Sequence, residues 1–426
     1  MANAAELRKR IPGAAFQEQL RDIYLDDSVL EHESKRYLDA IDRFVDLFGD
    51  GDLYLFSAPG RTEICGNHTD HQHGKVIAAS LNLDVIAVVK KTEGDTITIQ
   101  SEGFPEDIVD LSHLEPTLAE EGTSAALIRG VAAYFAAHGW NVGGFEAYTT
   151  SQVMKGSGMS SSAAFEVLVG TILSGLYNDG AVSQVDIAIA SQQAENQFFG
   201  KPSGLMDQMA CSVGGMIYID FALPEKPEIR KIQTDFSQYG HALCIVDTKG
   251  SHADLTPDYA AVPSEMKQVA AFFGEDVLRA VDEKAFYENI AALREKMPDR
   301  PILRAHHFFT EEHRVDAQVQ NLEQGNFDAF LKTETASGRS SFQYLQNVYS
   351  AAKPEEMGVA IGLAASERVL NGRGACRVHG GGFAGTIQAF VPQDLVPAYA
   401  AELDGIFGPG SCHVLQIRKY GGIQVL

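Results

Sequence analysis

Hydrophobic and polar residues follow helical spacing in some stretches of the chain and strand spacing in others. Apolar residues recur three or four positions apart around residues 28–48, which predicts a long helix ending at Gly49. Runs rich in Val, Ile and Thr predict strands. In the first half the predicted strands are 53–57, 75–81, 84–90, 96–101 and 144–150, and the predicted helices are 124–138, 163–176 and 184–199.

The second half again mixes the two spacings. Its predicted strands are 216–221, 241–248, 386–391 and 413–418, and its predicted helices are 263–273, 283–295, 312–322, 327–332, 356–370 and 394–407. The elements show no regular βαβ alternation, so we predict an α+β fold with mixed sheets rather than a doubly wound parallel sheet. Gly214 and Gly215 suggest domains 1–215 and 216–426, with the terminal strand able to return to the first domain.

Composition and charge indicate which kinds of molecule the protein is expected to bind. The chain has 426 residues, a net charge of −23 and no run of roughly 18 apolar residues. A strongly acidic surface repels nucleic acids and anionic lipids, so we expect neither as a partner. Five dispersed cysteines and a start without the apolar core of a secretion signal indicate a cytoplasmic protein. The oligomeric state stays open, and a monomer is compatible with the sequence.

A Gly/Ser segment precedes the apolar helix predicted over 163–176. Small residues let a backbone approach an anion, hydroxyls can bind phosphate or Mg²⁺, and the N–H groups of a helix start favour negative charge. We therefore predict a phosphate site here, although the P-loop pattern is absent. A serine N-cap on a buried helix is the alternative. The segment comprises Gly156, Ser157, Gly158, Ser160, Ser161 and Ser162.

Ionisable residues are dense between Gly60 and Gly74, directly after a predicted strand and a Pro-Gly break. This density fits recognition of a hydroxyl-rich ligand. A polar turn and a metal site remain alternatives, although the spacing matches no zinc pattern. The candidate metal ligands are Cys65, His68, Asp70, His71 and His73.

A lone carboxylate, Asp207, stands among the apolar residues Leu205, Met206 and Met209. Burying a carboxylate costs several kcal/mol unless it is paired, so we predict a cationic partner, with Arg61 as the candidate. The alternative is that Asp207 caps a helix after Gly204.

The glycine-rich run 377–385 formally satisfies the GxGxxG pattern. A dinucleotide-binding fold needs a helix after this pattern, but a strand is predicted from Thr386 onward, which disfavours a nicotinamide enzyme. A glycine loop packed closely against a backbone or a phosphate remains possible.

These four segments, in this order, resemble the motifs of the GHMP small-molecule kinases and, within them, the galactokinase group. Residues 58–70 are similar to the signature PGRxNLIGEHTDY, and residues 156–164 to GxGLSSSA. Residues 204–208 are similar to GIMDQ, and residues 377–385 to R-x-x-GGGFGG. The resemblance spans most of the chain.

The resemblance implies two domains with the active site in the cleft between them, and transfer of phosphate from ATP to the anomeric hydroxyl of galactose. Asp207 would act as base or orienting group, and Arg61 would keep it ionised and neutralise the transferred phosphoryl group. Ser162 and Glu195 would bind Mg²⁺. The sugar contacts implied are Asn67, His68, Asp70, Gly204 and Tyr259, the last following His252 at the interval seen in the family.

Three positions depart from the family pattern: Asn67 replaces Glu, His71 replaces Tyr and Glu63 replaces Asn. An amide both donates and accepts, so Asn67 could contact either a C6 hydroxyl or a C6 carboxylate. His71 could add positive charge. A related sugar or a sugar acid such as galacturonate is therefore an alternative substrate. A non-catalytic sugar sensor is a further alternative, although Asp207 and the serines are intact.

Overall fold

The computed structural model describes residues 2–153, 158–201, 203–251 and 255–426. Helices and two sheets form this part of the chain, which confirms the predicted α+β class with mixed sheets. The strands are β1 (Leu53–Cys65), β2 (Lys75–Lys91), β3 (Thr96–Ser101), β4 (Glu106–Asp110), β5 (Phe145–Ser151), β6 (Met216–Asp220), β7 (Glu228–Ile232), β8 (His241–Asp247), β9 (Ala375–Val378), β10 (Thr386–Pro392), β11 (Cys412–Leu415) and β12 (Ile423–Gln424).

The helices cover most of the stretches predicted to be helical. They are α1 (Ala4–Arg10), α2 (Ala14–Tyr24), α3 (Leu30–Phe48), α4 (Ser124–Ala137), α5 (Ser161–Tyr177), α6 (Gln184–Gln193), α7 (Met206–Val213), α8 (Thr256–Phe272), α9 (Glu283–Glu288), α10 (Ile290–Lys296), α11 (Asp299–Glu323), α12 (Phe327–Ser340), α13 (Gly358–Leu370) and α14 (Val396–Phe407). A π-helical turn, Ala194–Phe199, extends α6. The sequence analysis missed α1, whose short length leaves no repeating apolar stripe and whose start is fixed by an Asn3–Glu6 capping box.

The first sheet has the order β12-β1-β2-β5-β3-β4, with β6 paired to β2 and β7 paired to β6. The break predicted at residues 58–60 is wrong. β1 continues to Cys65 because a register shift between Pro59 and Arg61 accommodates the proline while pairing with β2 is kept. The loop predicted from residue 60 therefore begins only at Gly66, and Arg61 lies within a strand. The strands predicted at 75–81 and 84–90 are likewise one strand, β2.

The second sheet is antiparallel, in the order β11-β8-β10-β9. β6 and β7 follow residue 215 in the chain but belong to the first sheet. β12 also returns to the first sheet, where it pairs with β1. The division into domains at residue 215 stays a prediction. Apart from β12, the strands of the first sheet end at Ile232, and those of the second sheet follow it in the chain.

The helices and strands that carry the candidate site residues pack on one another within the largest hydrophobic core. α5 is apolar around its circumference and packs on β1 and against α6 and α7. This brings the start of α5, the strand with Arg61 and the helix with Asp207 to one place. None of the helices in the described ranges is both long and apolar enough to cross a membrane.

A buried ion cluster joins the N-terminal helices to the first sheet and to the C-terminal segment. Asp84 of β2 is fully buried and accepts from Arg36 at 2.8 Å and from Arg418 at 3.0 Å. Ser57 of β1 and Tyr24 of α2 donate to the same carboxylate. Burial would raise the pKa of Asp84, but the two guanidinium groups lower it, so it stays charged.

Asp84→Asn should lower the free energy of unfolding by about 3–5 kcal/mol, because two buried guanidinium groups would lose their shared carboxylate. Urea unfolding measures this. Asp39→Asn is the control, since Asp39 forms an exposed pair with Lys35 and its loss should change stability by about 1 kcal/mol at most. Equal effects of the two substitutions would contradict the role of the cluster.

Candidate active site

An ion pair between Arg61 and Asp207 lies at the centre of the candidate site. Nε and Nη2 of Arg61 donate to the two carboxylate oxygens at 2.7 and 2.8 Å. Asp207 is the second residue of α7, so the alternative that it caps a helix is wrong. Burial would raise the pKa of Asp207, but Arg61 and a hydrogen bond from Ser160 lower it to about 2. Asp207 is therefore a carboxylate at neutral pH, and a third of its side chain is open to solvent.

The start of α5 meets this ion pair directly. Ser160 has a left-handed backbone, with φ of +56°, and its hydroxyl donates to Oδ2 of Asp207. Ser160 makes no side-chain cap to α5, which leaves the first N–H groups of the helix, from Ser161 onward, without a serine cap. Ser160 therefore occupies the N-cap position, as the alternative held, but its side chain does not cap the helix. This uncapped helix start suits an anion.

Gly158 and Ser162 flank that helix start, whereas the predicted contacts Gly156 and Ser157 lie outside the described residues. The carbonyl of Gly158 accepts from Arg61. Its φ is +71°, and a Cβ there would lie 2.5 Å from the hydroxyl of Thr386, so the close approach requires glycine.

Ser162 and Glu195, the predicted Mg²⁺ ligands, lie side by side. The Ser162 hydroxyl donates to Oε1 of Glu195 at 3.2 Å, and Lys201 donates to the same oxygen at 2.7 Å. Hydroxyl and carboxylate oxygens beside a phosphate-binding helix start suit Mg²⁺, which takes few protein ligands and completes its shell with water and phosphate. The residues fit the ion if Lys201 shares or releases this oxygen.

Two polar residues that the sequence analysis did not single out complete this side of the site. Gln208 donates to Glu195 at 2.8 Å and to Glu166 at 3.2 Å. Burial raises the pKa of Glu166 well above its ordinary value. Glu166 follows Ser162 by four residues on α5, and Gln208 directly follows Asp207. In the sequence, Glu166 could have been found by its helical spacing from Ser162, and Gln208 by its position next to Asp207.

Asp70 and Gly204 meet on another side of the ion pair. A Cβ on Gly204 would collide with Oδ2 of Asp70, so a larger residue here would force the Asp70 carboxylate to move. Oδ1 of Asp70 accepts the backbone N–H of His71 at 2.9 Å. Burial raises the pKa of Asp70 to about 6, with His68 opposing the rise and Asp207 adding to it.

His68 and Tyr259 lie against the glycine-rich run. Nε2 of His68 is 2.9 Å from the Gly381 carbonyl, and the Tyr259 hydroxyl donates to the Gly382 carbonyl at 2.9 Å. His252, which was paired with Tyr259 by spacing, lies outside the described residues. Burial lowers the pKa of His71 well below its ordinary value, with His68 adding to the effect. The positive charge expected of His71 is therefore wrong.

Asn67 occupies an interior position instead of the predicted sugar-contacting one. It is fully buried, and its Nδ2 donates to Glu63 at 3.1 Å and to the Gly380 carbonyl at 2.7 Å. Its Oδ1 accepts from Asn347 at 2.8 Å and from Ser341 at 3.2 Å. An amide offers two donors and two acceptor positions. All are used within the protein, which leaves none for the predicted sugar contact.

The geometry also bears on the nicotinamide and metal alternatives. β10 begins at Thr386, directly after the glycine run, so the helix required by the nicotinamide hypothesis is absent there. In the described ranges no three His, Cys, Asp or Glu side chains are arranged to hold a metal. Cys65 faces Glu311, and the rings of His68 and His71 contact each other.

The four motifs therefore converge on one place, with the helix start, the ion pair and the Asp70–Gly204 contact as neighbours.

Comparison with known proteins gives the same family resemblance as the four motifs. Residues 126–215 match the GHMP kinases N terminal domain, and residues 42–91 match the galactokinase galactose-binding signature. A galactokinase of Streptomyces coelicolor is 28% identical over 371 residues, which cover 86% of this chain and 92% of that protein.

Solved structures share the fold. The crystal structure of Lactococcus lactis galactokinase complexed with galactose has a TM-score of 0.78 at 24% identity, covering 90% of this chain and 98% of that chain. Methanococcus jannaschii mevalonate kinase has a TM-score of 0.62 at 15% identity, covering 86% of this chain and 99% of that chain. The similarities confirm the resemblance that the four motifs indicated.

The raised pKa of Asp70 predicts a pH-dependent effect on stability. An ionised carboxyl whose pKa is raised to about 6 destabilises the fold above that pH, and the penalty disappears as the pH falls toward its ordinary value, about 4. Asp70→Asn should therefore stabilise the protein by about 1–3 kcal/mol more at pH 7.5 than at pH 4.5. Urea unfolding at the two pH values measures this, with Asp39→Asn as control. A difference that does not change with pH would contradict it.

Proposed function

We propose that this chain, a GHMP-type sugar kinase that resembles galactokinases, transfers the γ-phosphoryl group of ATP to the anomeric hydroxyl of galactose. The observation that carries the proposal is the contact between Ser160, at the start of α5, and Asp207, which is held by Arg61. It puts a charged carboxylate beside a helix start that suits phosphate. Phosphoryl transfer needs little from the protein beyond such positioning and charge neutralisation.

In the proposed reaction, Asp207 and Arg61 have different roles. The anomeric oxygen forms a bond to the γ-phosphorus as the bond to the ADP oxygen breaks, and the hydroxyl proton passes to Asp207. Because the pKa of Asp207 is about 2, it is a weak base that orients the hydroxyl and accepts the proton late. Arg61 lies between Asp207 and the Gly158 carbonyl, so its charge can also neutralise the phosphoryl oxygens.

The nucleotide end is built around the start of α5. Gly158, Ser160, Ser161 and Ser162 line it, and we propose that Ser162 and Glu195 hold Mg²⁺. When bound with ATP, the ion would neutralise charge on the β- and γ-phosphates. Lys201 then supplies a second positive charge at this end, because its ammonium lies 2.7 Å from Glu195.

The sugar end supports a neutral hexose rather than a sugar acid. The two observations that suggested an acid were an available amide at Asn67 and a charged His71. The amide is occupied within the protein, and burial keeps His71 neutral. Asp70, which is close enough to Asp207 to feel its charge, and His68 beside the glycine run supply polar groups for the sugar hydroxyls. We propose a cytoplasmic site of action, since the described cysteines are all free thiols.

A sugar panel with Mg-ATP tests the substrate. Galactose should support ADP release, and methyl β-galactoside should not, because its anomeric oxygen carries no proton. Galacturonate should be at least about tenfold poorer than galactose in kcat/KM, since burial keeps His71 neutral and the amide of Asn67 is occupied within the protein. Equal rates with galacturonate would overturn the substrate assignment, and no ADP release with any sugar would overturn the activity.

Substitution of the ion pair tests the assigned roles. Asp207→Asn should lower kcat by about 10²–10⁴-fold through loss of the proton acceptor. Arg61→Ala should lower kcat by at least about 10³-fold through loss of charge neutralisation. Circular dichroism and thermal unfolding check that the variants are folded, and the exposed Asp39→Asn serves as control. Full activity in either folded variant would contradict the mechanism.

A further inference from the structure

We propose that Asn67 is a positioning residue for the transfer, and that its buried amide holds the glycine turn 380–381 against Arg61 and His68. The inference rests on the proposed function, because it assigns a role within that reaction. Asn67 contacts neither substrate in this proposal. It acts through the backbone of Gly380 and through the carboxylate of Glu63.

The amide of Asn67 joins three separate parts of the chain. Its Nδ2 donates to Glu63 on β1 and to the carbonyl of Gly380, and its Oδ1 accepts from Asn347 and Ser341, which follow α12. Its own backbone carbonyl lies 2.9 Å from Nε2 of His307 on α11. A residue with this many buried partners has one orientation, and the orientation fixes the distance between its partners.

The glycine turn held by Asn67 lies directly behind the reacting groups. A Cβ on Gly380 would lie 3.8 Å from both terminal nitrogens of Arg61 and 3.6 Å from the Gly158 carbonyl. The next carbonyl, that of Gly381, lies 2.9 Å from His68 and accepts from Asn347 at 3.2 Å. Movement of this turn would therefore change the surroundings of the guanidinium on one side and of a predicted sugar contact on the other.

The carboxylate of Glu63 requires a hydrogen-bond donor, rather than an acceptor, at position 67. Glu63 is buried and pairs with Arg377 at 2.5 Å, and Glu334 lies 3.8 Å from the same guanidinium. Both groups that face Nδ2 of Asn67, the Glu63 carboxylate and the Gly380 carbonyl, are acceptors. Only a donor at position 67 satisfies them, and an acceptor there would face oxygen on both sides.

A compensating second substitution tests this requirement. Asn67→Asp has the same shape but places a second carboxylate beside Glu63, so kcat/KM for galactose should fall at least about 100-fold, with KM for ATP changed less than about threefold. Adding Glu63→Gln to this variant restores the net charge and lets the new amide at position 63 donate to the carboxylate introduced at position 67. The double variant should therefore recover at least about tenfold over Asn67→Asp alone.

Asn178→Asp is the matched control. Asn178 is a buried amide that donates to the carbonyls of Asn141 and Leu173 at the far end of α5, about 25 Å from the helix start. Both Asn67→Asp and Asn178→Asp should raise the unfolding equilibrium constant by about tenfold or more, but in Asn178→Asp kcat/KM should stay within about twofold of the wild type.

The outcomes separate this inference from the proposed function. If the wild type phosphorylates galactose but Asn67→Asp retains kcat/KM, the positioning role is wrong. It is also wrong if the double variant is no more active than Asn67→Asp, or if Asn178→Asp loses as much activity as Asn67→Asp. If the wild type releases no ADP with any sugar, the proposed function itself fails and the inference fails with it.

Discussion

The structure of the site depends on the ion pair between Arg61 and Asp207. Arg61 would be strongly destabilising without its partner, because it is almost fully buried and an isolated buried charge is costly. Paired, they give a carboxylate that stays ionised and a guanidinium whose remaining nitrogen reaches the Gly158 carbonyl. One interaction thus ties the first sheet to α7 and to the segment that leads into α5.

Close backbone approach is the second constraint. Gly158, Gly204 and Gly380 stand where a side chain would meet Thr386, Asp70 or Arg61. Each contact brings a polar group from one motif to the backbone of another. Besides forming turns, these glycines therefore let polar groups of one segment lie against the backbone of another.

The phosphate end presents positive groups although the chain as a whole is strongly negative. A chain with a net charge of −23 should repel a nucleotide at long range. At short range, the start of α5, Arg61 and Lys201 present positive charge where the carboxylates of Asp207 and Glu195 are already paired. Anion binding at such a place is governed by a few directed groups and by screening, and the net charge says little about it.

The sequence by itself determined the class of fold, the candidate segments and the pairing of Asp207 with Arg61. Those conclusions rest on local periodicity and on the energetic penalty of an unpaired carboxylate, both of which are properties of the residues. It failed at residues 58–65, where a bulge keeps a proline inside a strand, because only the partner strand β2 reveals whether pairing continues.

The tertiary structure alone decided the surroundings of Asn67 and His71. Their residue types permit both a sugar contact and an interior position, and the choice depends on burial and on partners as far away as Ser341 and Asn347. Hydrogen-bond saturation and desolvation are set by the groups that surround a side chain. No spacing within a motif can specify them, because the surrounding groups come from other parts of the chain.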